Sequence, residues 1–298
     1  MIPYHTRIAP SPTGFAHIGT IRTALFNYLA AKQTGGQFTL RIDDTDTNRN
    51  NEEAVQPIYD ALQWLGLQWD DTFRQSSRTD IYKEAAHKLL EAGLAVRLDN
   101  GAIALLWNDE IPRAWHDSIA GEIKITDTNI EQIHGRTILL KGDEHGNAPI
   151  YQFTSTFDDW DTDISYVIRG VDHITNTAKQ LAIWWALNAC YNLNKFRPAF
   201  AHVGLIFKDG KKLSKREGAA SALWFRDQGY LPEAMFAFLL RLGWAPRNDD
   251  KDSYTLSIDQ AKELFLTHGK MRSSNAQMDM AKLDSVQKKF LARMKVAA

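Results

Sequence analysis

The stretch "RIAPSPTGFAHIGTIRTALFNYLAAK", Arg7 to Lys32, limits the fold more than any other part of the chain. "HTRIAP" reads as a short extended run stopped by Pro10 and Pro12, because proline fixes its own backbone and biases the preceding residue away from helix. Ile18, Ile21, Leu25, Tyr28 and Leu29 then recur on one face at helical spacing. The unit is strand, turn-rich loop, helix. Such a loop delivers unpaired backbone N–H groups at the positive end of the helix dipole, which makes it an anion site. Gly14 and Gly19 let backbone approach a phosphate closely, and His17 offers one more donor at the same place. "GFAHIGT" matches the spacing of a Walker loop but lacks its lysine, so a P-loop is excluded. A plain strand-to-helix turn with an incidental histidine stays open on these residues alone.

Further on, elements of the two types alternate. "QFTLRI" predicts a strand ending in the acidic cluster "DDTD", and "NEEAVQPIYDALQWLGL" and "RTDIYKEAAHKLLEAGLA" predict helices, the second capped at Gly93. Between Val96 and Asn147 the pattern is irregular, and "GEIKI" and "GRTILLK" fit strands of a small inserted lobe. "APIYQFTSTF" and "ISYVIRG" read as strands, "TNTAKQLAIWWALNACYNL" as a helix and "AFAHVGLIF" as one further strand; from Ala219 onward the pattern is helical. The expected fold is α/β, a doubly wound parallel sheet with a small inserted lobe and a C-terminal helical appendix. The expected divisions are 1–95 and 149–218 for the halves of the main domain, 96–148 for the lobe and 219–298 for the appendix. With 298 residues, 44% of them hydrophobic, the chain can build such cores.

Composition removes several functions. No run approaches the length of a membrane span and the N-terminus lacks a charged-then-apolar leader, which predicts a cytoplasmic protein. Cys190, the single cysteine, sits in a buried-helix pattern, so it reads as a packed thiol, and no cysteine-rich zinc site exists. His116, His134 and His145 lack zinc-site spacing, and "FDDWDTD" lacks the glycine and terminal glutamate of an EF-hand loop. With a net charge of −1, contact with nucleic acid has to come from local basic patches. One such patch is "KDGKKLSKREGAAS", where Lys211, Lys212, Lys215 and Arg216 crowd around Ser214; a solvated turn is its ordinary explanation.

Taken in order, these segments resemble one family. "APSPTGFAHIGTIRTALFNYLAA" is similar to the HIGH-motif segment of glutamyl-tRNA synthetases, and "KKLSKREGAAS" resembles their KMSKS loop. "LRIDDTD", "YVIRGVDHITNT", "PAFAHVGLI" and "GYLPEAMFAFLLRLGW" fall in the family's order, and the likeness runs from Arg7 to about Leu291. The resemblance implies a Rossmann-type class I fold that uses ATP and magnesium to form glutamyl-adenylate and passes the acyl group to the acceptor end of tRNA. It implies that His17, Gly19 and Thr20 hold ATP, and that Lys212, Ser214 and Lys215 stabilise the leaving pyrophosphate. It carries the amino-acid site to Arg7, Ala9, Ser11, Asp43, Tyr151, Ser155 and Arg169. Two arginines suit a substrate with two carboxylates, since guanidinium grips carboxylate through paired hydrogen bonds. Asp43 would face the α-ammonium group. Ion pairing of Arg7 and Arg169 with Asp43, Asp44 or Asp172 is the alternative, and Arg22 and Arg41 are expected to be structural.

Departures from the family keep several outcomes open. Asp43 stands where bacterial members usually carry glutamate, Ser155 replaces a common asparagine and Val171 replaces the acid of "RGED", so the substrate is glutamate or glutamine. The insert looks shorter than the family's acceptor-binding region and lacks zinc-ligand cysteines. The sequence stops after "KLDSVQKKFLARMKVAA", where relatives continue into an anticodon-binding region. A compact ligase of this kind, expected to be a monomer, would select tRNA by its acceptor stem. Lys282, Lys288, Lys289, Arg293 and Lys295 near the end could follow phosphates. A base-modifying enzyme like glutamyl-Q tRNA synthetases and a non-aminoacylating regulatory or carrier-charging paralogue are the other two readings.

Overall fold

A computed structural model describes residues 2–14, 16–46, 50–126, 137–208, 210–213, 221–246 and 255–297. Its first unit is strand β1 (His5–Ile8), helix α1 (Ile18–Thr34), strand β2 (Gln37–Ile42), helix α2 (Val55–Trp64) and strand β3 (Asp71–Arg74). The three strands are parallel in the order β1-β2-β3. Helix α1 ends where Gly35 turns into the left-handed region at φ 70°, and the Gly35 N–H closes on the last turn.

Helix α3 (Thr79–Glu91) leads through strands β4 (Ala95–Arg97) and β5 (Ile103–Leu105) to a hairpin of β6 (Ala114–Asp117) and β7 (Gly121–Lys124), then to β8 (Ile138–Leu140). β4, β5 and β8 make a small antiparallel sheet, whereas the hairpin joins the main layer through β6. Helix α4 (Tyr151–Asp161), strand β9 (Tyr166–Gly170), helix α5 (Ile174–Cys190) and strand β10 (Ala199–Val203) complete the second unit, whose sheet runs β7-β6-β10-β9. The Ser165 N–H donates to the His5 carbonyl at 2.9 Å, so β9 begins beside β1. The strands therefore run outward from the β1/β9 junction in both directions. That junction is the switch point of a doubly wound sheet, and ligands in such folds bind at the carboxyl ends of the strands there.

The remaining elements are strands β11 (Ile206–Lys208) and β12 (Lys211–Lys212), helices α6 (Ala222–Asp227) and α7 (Pro232–Arg241), strand β13 (Trp244–Pro246), helix α8 (Ile258–Leu264), strands β14 (Gly269–Met271) and β15 (Ala276–Gln277), and helix α9 (Met280–Ala297). Helices α7 and α8 cover the side of α1 turned away from the sheet, so α1 is buried on almost every face rather than on one stripe. Its buried Arg22 donates from its two terminal nitrogens to carbonyls, Leu242 at 3.0 Å and Gly204 at 2.7 Å. Among the described residues, no helix is long and apolar enough to cross a membrane.

Two expected strands need correction. "YQFTSTF" is the helix α4: its aromatic and β-branched residues suit strands locally, but Phe153, Phe157 and Trp160 recur at helical spacing and bury against α3 and α5. The Thr154 and Thr156 hydroxyls donate to the carbonyls of Tyr151 and Gln152 one turn back, which accommodates threonine inside a helix. "AFAHVGLIF" divides into β10 and β11, which belong to different sheets. The break falls at Gly204, where a Cβ would lie 2.2 Å from the Ser274 carbonyl oxygen.

Candidate active site

The loop after β1 and the start of α1 carry the first group of expected residues. His17 is the N-cap of α1, and its Nδ1 accepts the Gly19 N–H at 3.0 Å. Nε2 therefore carries the ring hydrogen and donates to the Leu213 carbonyl at 3.2 Å. The histidine that sequence assigns to phosphate binding thus caps a helix and also reaches the residue directly before Ser214. Gly19 and Thr20 lie half-buried in the first turn, Ala9 is half-buried and Ser11 is exposed beyond β1. Lys212 sits on β12, while Ser214 and Lys215 lie outside the described residues.

The second group is a buried charge network at the ends of β1 and β2. Arg7 donates from Nε and Nη2 to the Asp159 carboxylate at 3.1 and 3.2 Å. Arg41 bridges two acids, reaching Asp159 at 2.7 Å and Asp43 at 2.6 Å. Arg7 is thus paired, but its acid is Asp159 rather than Asp43, Asp44 or Asp172. Asp43 is held by Arg41, and Asp44 by Arg74 and the Ser76 N–H and hydroxyl. Burial drives the Asp159 carboxyl upward, yet Arg7 and Arg41 together hold it below its ordinary range. Its neighbour Asp158 accepts from Gln75, Arg78 and Tyr82.

Asp43 responds in the opposite sense. Burial pushes its carboxyl up to about 6, against the pull of Arg41 and with Asp158 adding to the rise. The native state therefore holds a proton that the unfolded chain has released over the interval between about 4 and 6. The stability this provides is full below about pH 4 and is lost as pH rises through 6. In urea unfolding, wild-type stability is expected to drop relative to Asp43→Asn across that window by about 2–3 kcal/mol. A flat difference profile would rule out the elevated carboxyl.

Arg169, next to last in β9, is the third element. It is 6% exposed, donates to His202 Nε2 at 3.1 Å and to the Thr177 hydroxyl at 2.8 Å, and leaves Nη1 without a hydrogen-bond partner. Among the described residues, no carboxylate forms an ion pair with it. Burial lowers its pKa to about 10, with the Tyr151 phenol opposing and Arg7 reinforcing the fall. Tyr151 starts α4, and its hydroxyl lies 3.3 Å from His173 Nδ1. Burial, helped by Arg169, brings His173 down to about 4, so it is neutral at pH 7. Ser155, one turn into α4, is buried and accepts from the Gln180 amide at 2.8 Å. Sequence reasoning missed Asp159, His202 and Asp117; the first lies in "FDDWDTD" and the second in "PAFAHVGLI", but neither motif announces its partner.

The family described as class I tRNA synthetases (E and Q), catalytic domain, matches residues 3–105 and 102–293. The chain belongs to this family. Glutamate–tRNA ligase 1 of Rickettsia canadensis is 38% identical over 96% of this chain and 66% of its own length. Glutamate–tRNA ligase 2 of Rickettsia conorii is also 38% identical over 96% of the chain, and 60% of its length is covered. The chain therefore spans under two thirds of these synthetases. A glutamate tRNA ligase from Elizabethkingia meningosepticum, solved in complex with its amino acid, superposes with a TM-score of 0.79 at 26% identity, covering 96% of this chain and 69% of that one. The glutamate-tRNA synthetase of Elizabethkingia anophelis gives 0.80 at 26% identity over 97% and 71%. The fold is of the Rossmann type, as in these solved glutamate-tRNA ligases.

Proposed function

We propose that the protein joins glutamate to ATP, forming glutamyl-adenylate, and passes the glutamyl group to the 3′ end of a tRNA. The observation that carries the choice of amino acid is Arg169, a buried guanidinium with neutral partners and an unused N–H group. Leaving such a donor buried and unmatched is costly, and a carboxylate would match it in charge and in geometry. Arg7 is near enough to depress the Arg169 pKa, and Arg7 has to share the Asp159 carboxylate with Arg41, so positive charge is in surplus beside Arg169. That surplus favours the side-chain carboxylate of glutamate over the amide of glutamine. Ala9, Ser11, Tyr151 and Ser155 would border the amino acid, and Asp43 would lie on the side of its ammonium group.

In the first step an oxygen of the glutamate α-carboxylate attacks the α-phosphorus of ATP, and the bond to the bridging oxygen of pyrophosphate breaks. In the second a ribose hydroxyl attacks the activated carbonyl and AMP leaves. Neither step needs a covalent bond to the protein, so its work is positioning and charge stabilisation. His17, Gly19 and Thr20 would receive the phosphates at the α1 N-terminus, and Lys212, Ser214 and Lys215 would meet the pyrophosphate. Among the described residues, no group of three His, Cys, Asp or Glu side chains could ligate a metal ion. Magnesium would enter on the phosphates of ATP rather than in a protein cage. Residues 96–148 and 219–298 are assigned to the tRNA acceptor stem in this reading.

The test is incubation of the purified protein with ATP, magnesium, total tRNA and labelled glutamate or glutamine, followed by nuclease digestion. Label from glutamate on the terminal adenosine is expected. Equal labelling from glutamine would remove Arg169 as the selecting residue. Label on an internal nucleoside would replace the ligase with base modification, and no label on RNA would point to another acceptor or to regulation.

A further inference from the structure

Behind Arg169 lies a chain of buried groups with no place in the reaction scheme above. Arg169 on β9 and His202 on β10 are register partners in the parallel pair, which sets their side chains side by side. The Arg169 Nε–H donates to His202 Nε2 at 3.1 Å, and His202 Nδ1 lies 2.6 Å from Asp117 Oδ2. His202 and Asp117 are both 0% exposed. Asp117 closes β6, and its other oxygen accepts the N–H groups of Ile119 and Ala120, each at 2.9 Å. These contacts fix the imidazole tautomer. Asp117 accepts at both oxygens, so His202 must carry its hydrogen on Nδ1, which leaves Nε2 as an acceptor facing the Arg169 Nε–H.

We propose that Asp117 and His202 form a positioning relay that aims Arg169 at the substrate side-chain carboxylate while leaving its positive charge unneutralised. This rests on the reading that Arg169 holds that carboxylate. A carboxylate in direct contact with Arg169 would anchor it equally well but would cancel the charge the substrate needs. A neutral imidazole anchors without cancelling. Asp117 stands one residue further back, with its own charge spread over the Ile119 and Ala120 amides, the more distant His202 backbone N–H at 3.4 Å and the imidazole. Burial raises its carboxyl, but the hydrogen bonds from the imidazole, Ala120 and Ile119 outweigh burial and keep it ionised. Thr177 accepts from Nη2 at 2.8 Å beside His202, its hydroxyl lying 3.3 Å from His202 Nε2, so Arg169 is fixed at two of its nitrogens and open at the third.

The test uses variants that keep volume while changing which atoms donate. In Asp117→Asn the side-chain oxygen would still accept the Ile119 and Ala120 N–H groups, which turns the amide NH2 toward His202. The imidazole then has to move its hydrogen to Nε2, where it confronts the Arg169 Nε–H. In His202→Gln the side-chain oxygen can still accept from Arg169, whereas in His202→Asn it cannot reach. Each is assayed by pyrophosphate exchange with tRNA present, and its folding is followed by urea unfolding. Asp117→Asn and His202→Asn are expected to raise the glutamate KM about 10- to 100-fold, with kcat and the ATP KM within about twofold of wild type. His202→Gln should recover most of that loss.

Arg169→Met, measured in parallel, separates the two ideas. If it leaves the glutamate KM unchanged, the reading of Arg169 itself fails. If it raises the KM while Asp117→Asn does not, the relay alone is overturned. Equal losses in His202→Gln and His202→Asn would also overturn it, because a merely structural histidine would not distinguish them. Should either histidine variant fail to fold, Asp117→Asn against Arg169→Met still decides the matter, since asparagine matches aspartate in size.

Discussion

Replacing Asp159 with alanine is expected to destabilise the protein by about 3–5 kcal/mol, a large share of the ~5–15 kcal/mol that holds an ordinary domain together. Asp159 is the common acceptor for two guanidinium groups, Arg7 and Arg41, and all three side chains are buried. Its loss leaves two cations facing each other without water. Asp159→Asn should cost less, because the amide oxygen still accepts one hydrogen bond and the volume is kept. Urea unfolding midpoints measure both. A change below about 1 kcal/mol for the alanine variant would show that Asp43 and Asp158 neutralise the arginines without Asp159.

The second large effect belongs to His17. His17→Ala is expected to slow adenylate formation by about 100-fold or more, the loss typical of removing one donor to developing charge. Part of any loss would come from the helix, since the His17 side chain also caps α1 by accepting the Gly19 N–H. His17→Asn separates these contributions. Asparagine is a good N-cap and restores the acceptor near the backbone, but it has no counterpart to Nε2. Near-wild-type stability with activity still reduced about 100-fold is therefore the expected result. Full activity in His17→Asn would assign the histidine to capping alone.

Much of the frame was legible because its signals are local. Pro10, Pro12 and the apolar spacing from Ile18 to Leu29 identify β1, the loop and α1 without any tertiary information, and the end of α3 at Gly93 is equally local. The misreading of α4 has the reverse cause. Phe153, Thr154, Thr156 and Phe157 carry strand propensity, and burial against α3 and α5 overrides it. The site divides along the same line. His17, Arg7 and Arg169 could be picked out by position in motifs, but Asp159 is 152 residues from the Arg7 it pairs with. Asp117 and His202 are 85 residues apart, and no spacing rule relates them. Such partners are created by the winding of the sheet, so a single chain read in order does not reveal them. The expectation that Arg22 and Arg41 are structural agrees with their contacts to protein carbonyls and carboxylates.

The junction between β1 and β9 also sets a schedule for synthesis. His5 and Ser165, whose backbones meet there, are 160 residues apart in the chain. A ribosome adding about 5–20 residues per second needs roughly 10–30 s to bring the second into existence after the first. Throughout that interval β1, β2 and β3 can pair with one another, but the outer edge of β1 has nothing to bind. An open parallel edge is a template for any other nascent strand. The two halves of the site therefore remain apart until Ser165 has been added, and until then the first unit carries an open strand edge.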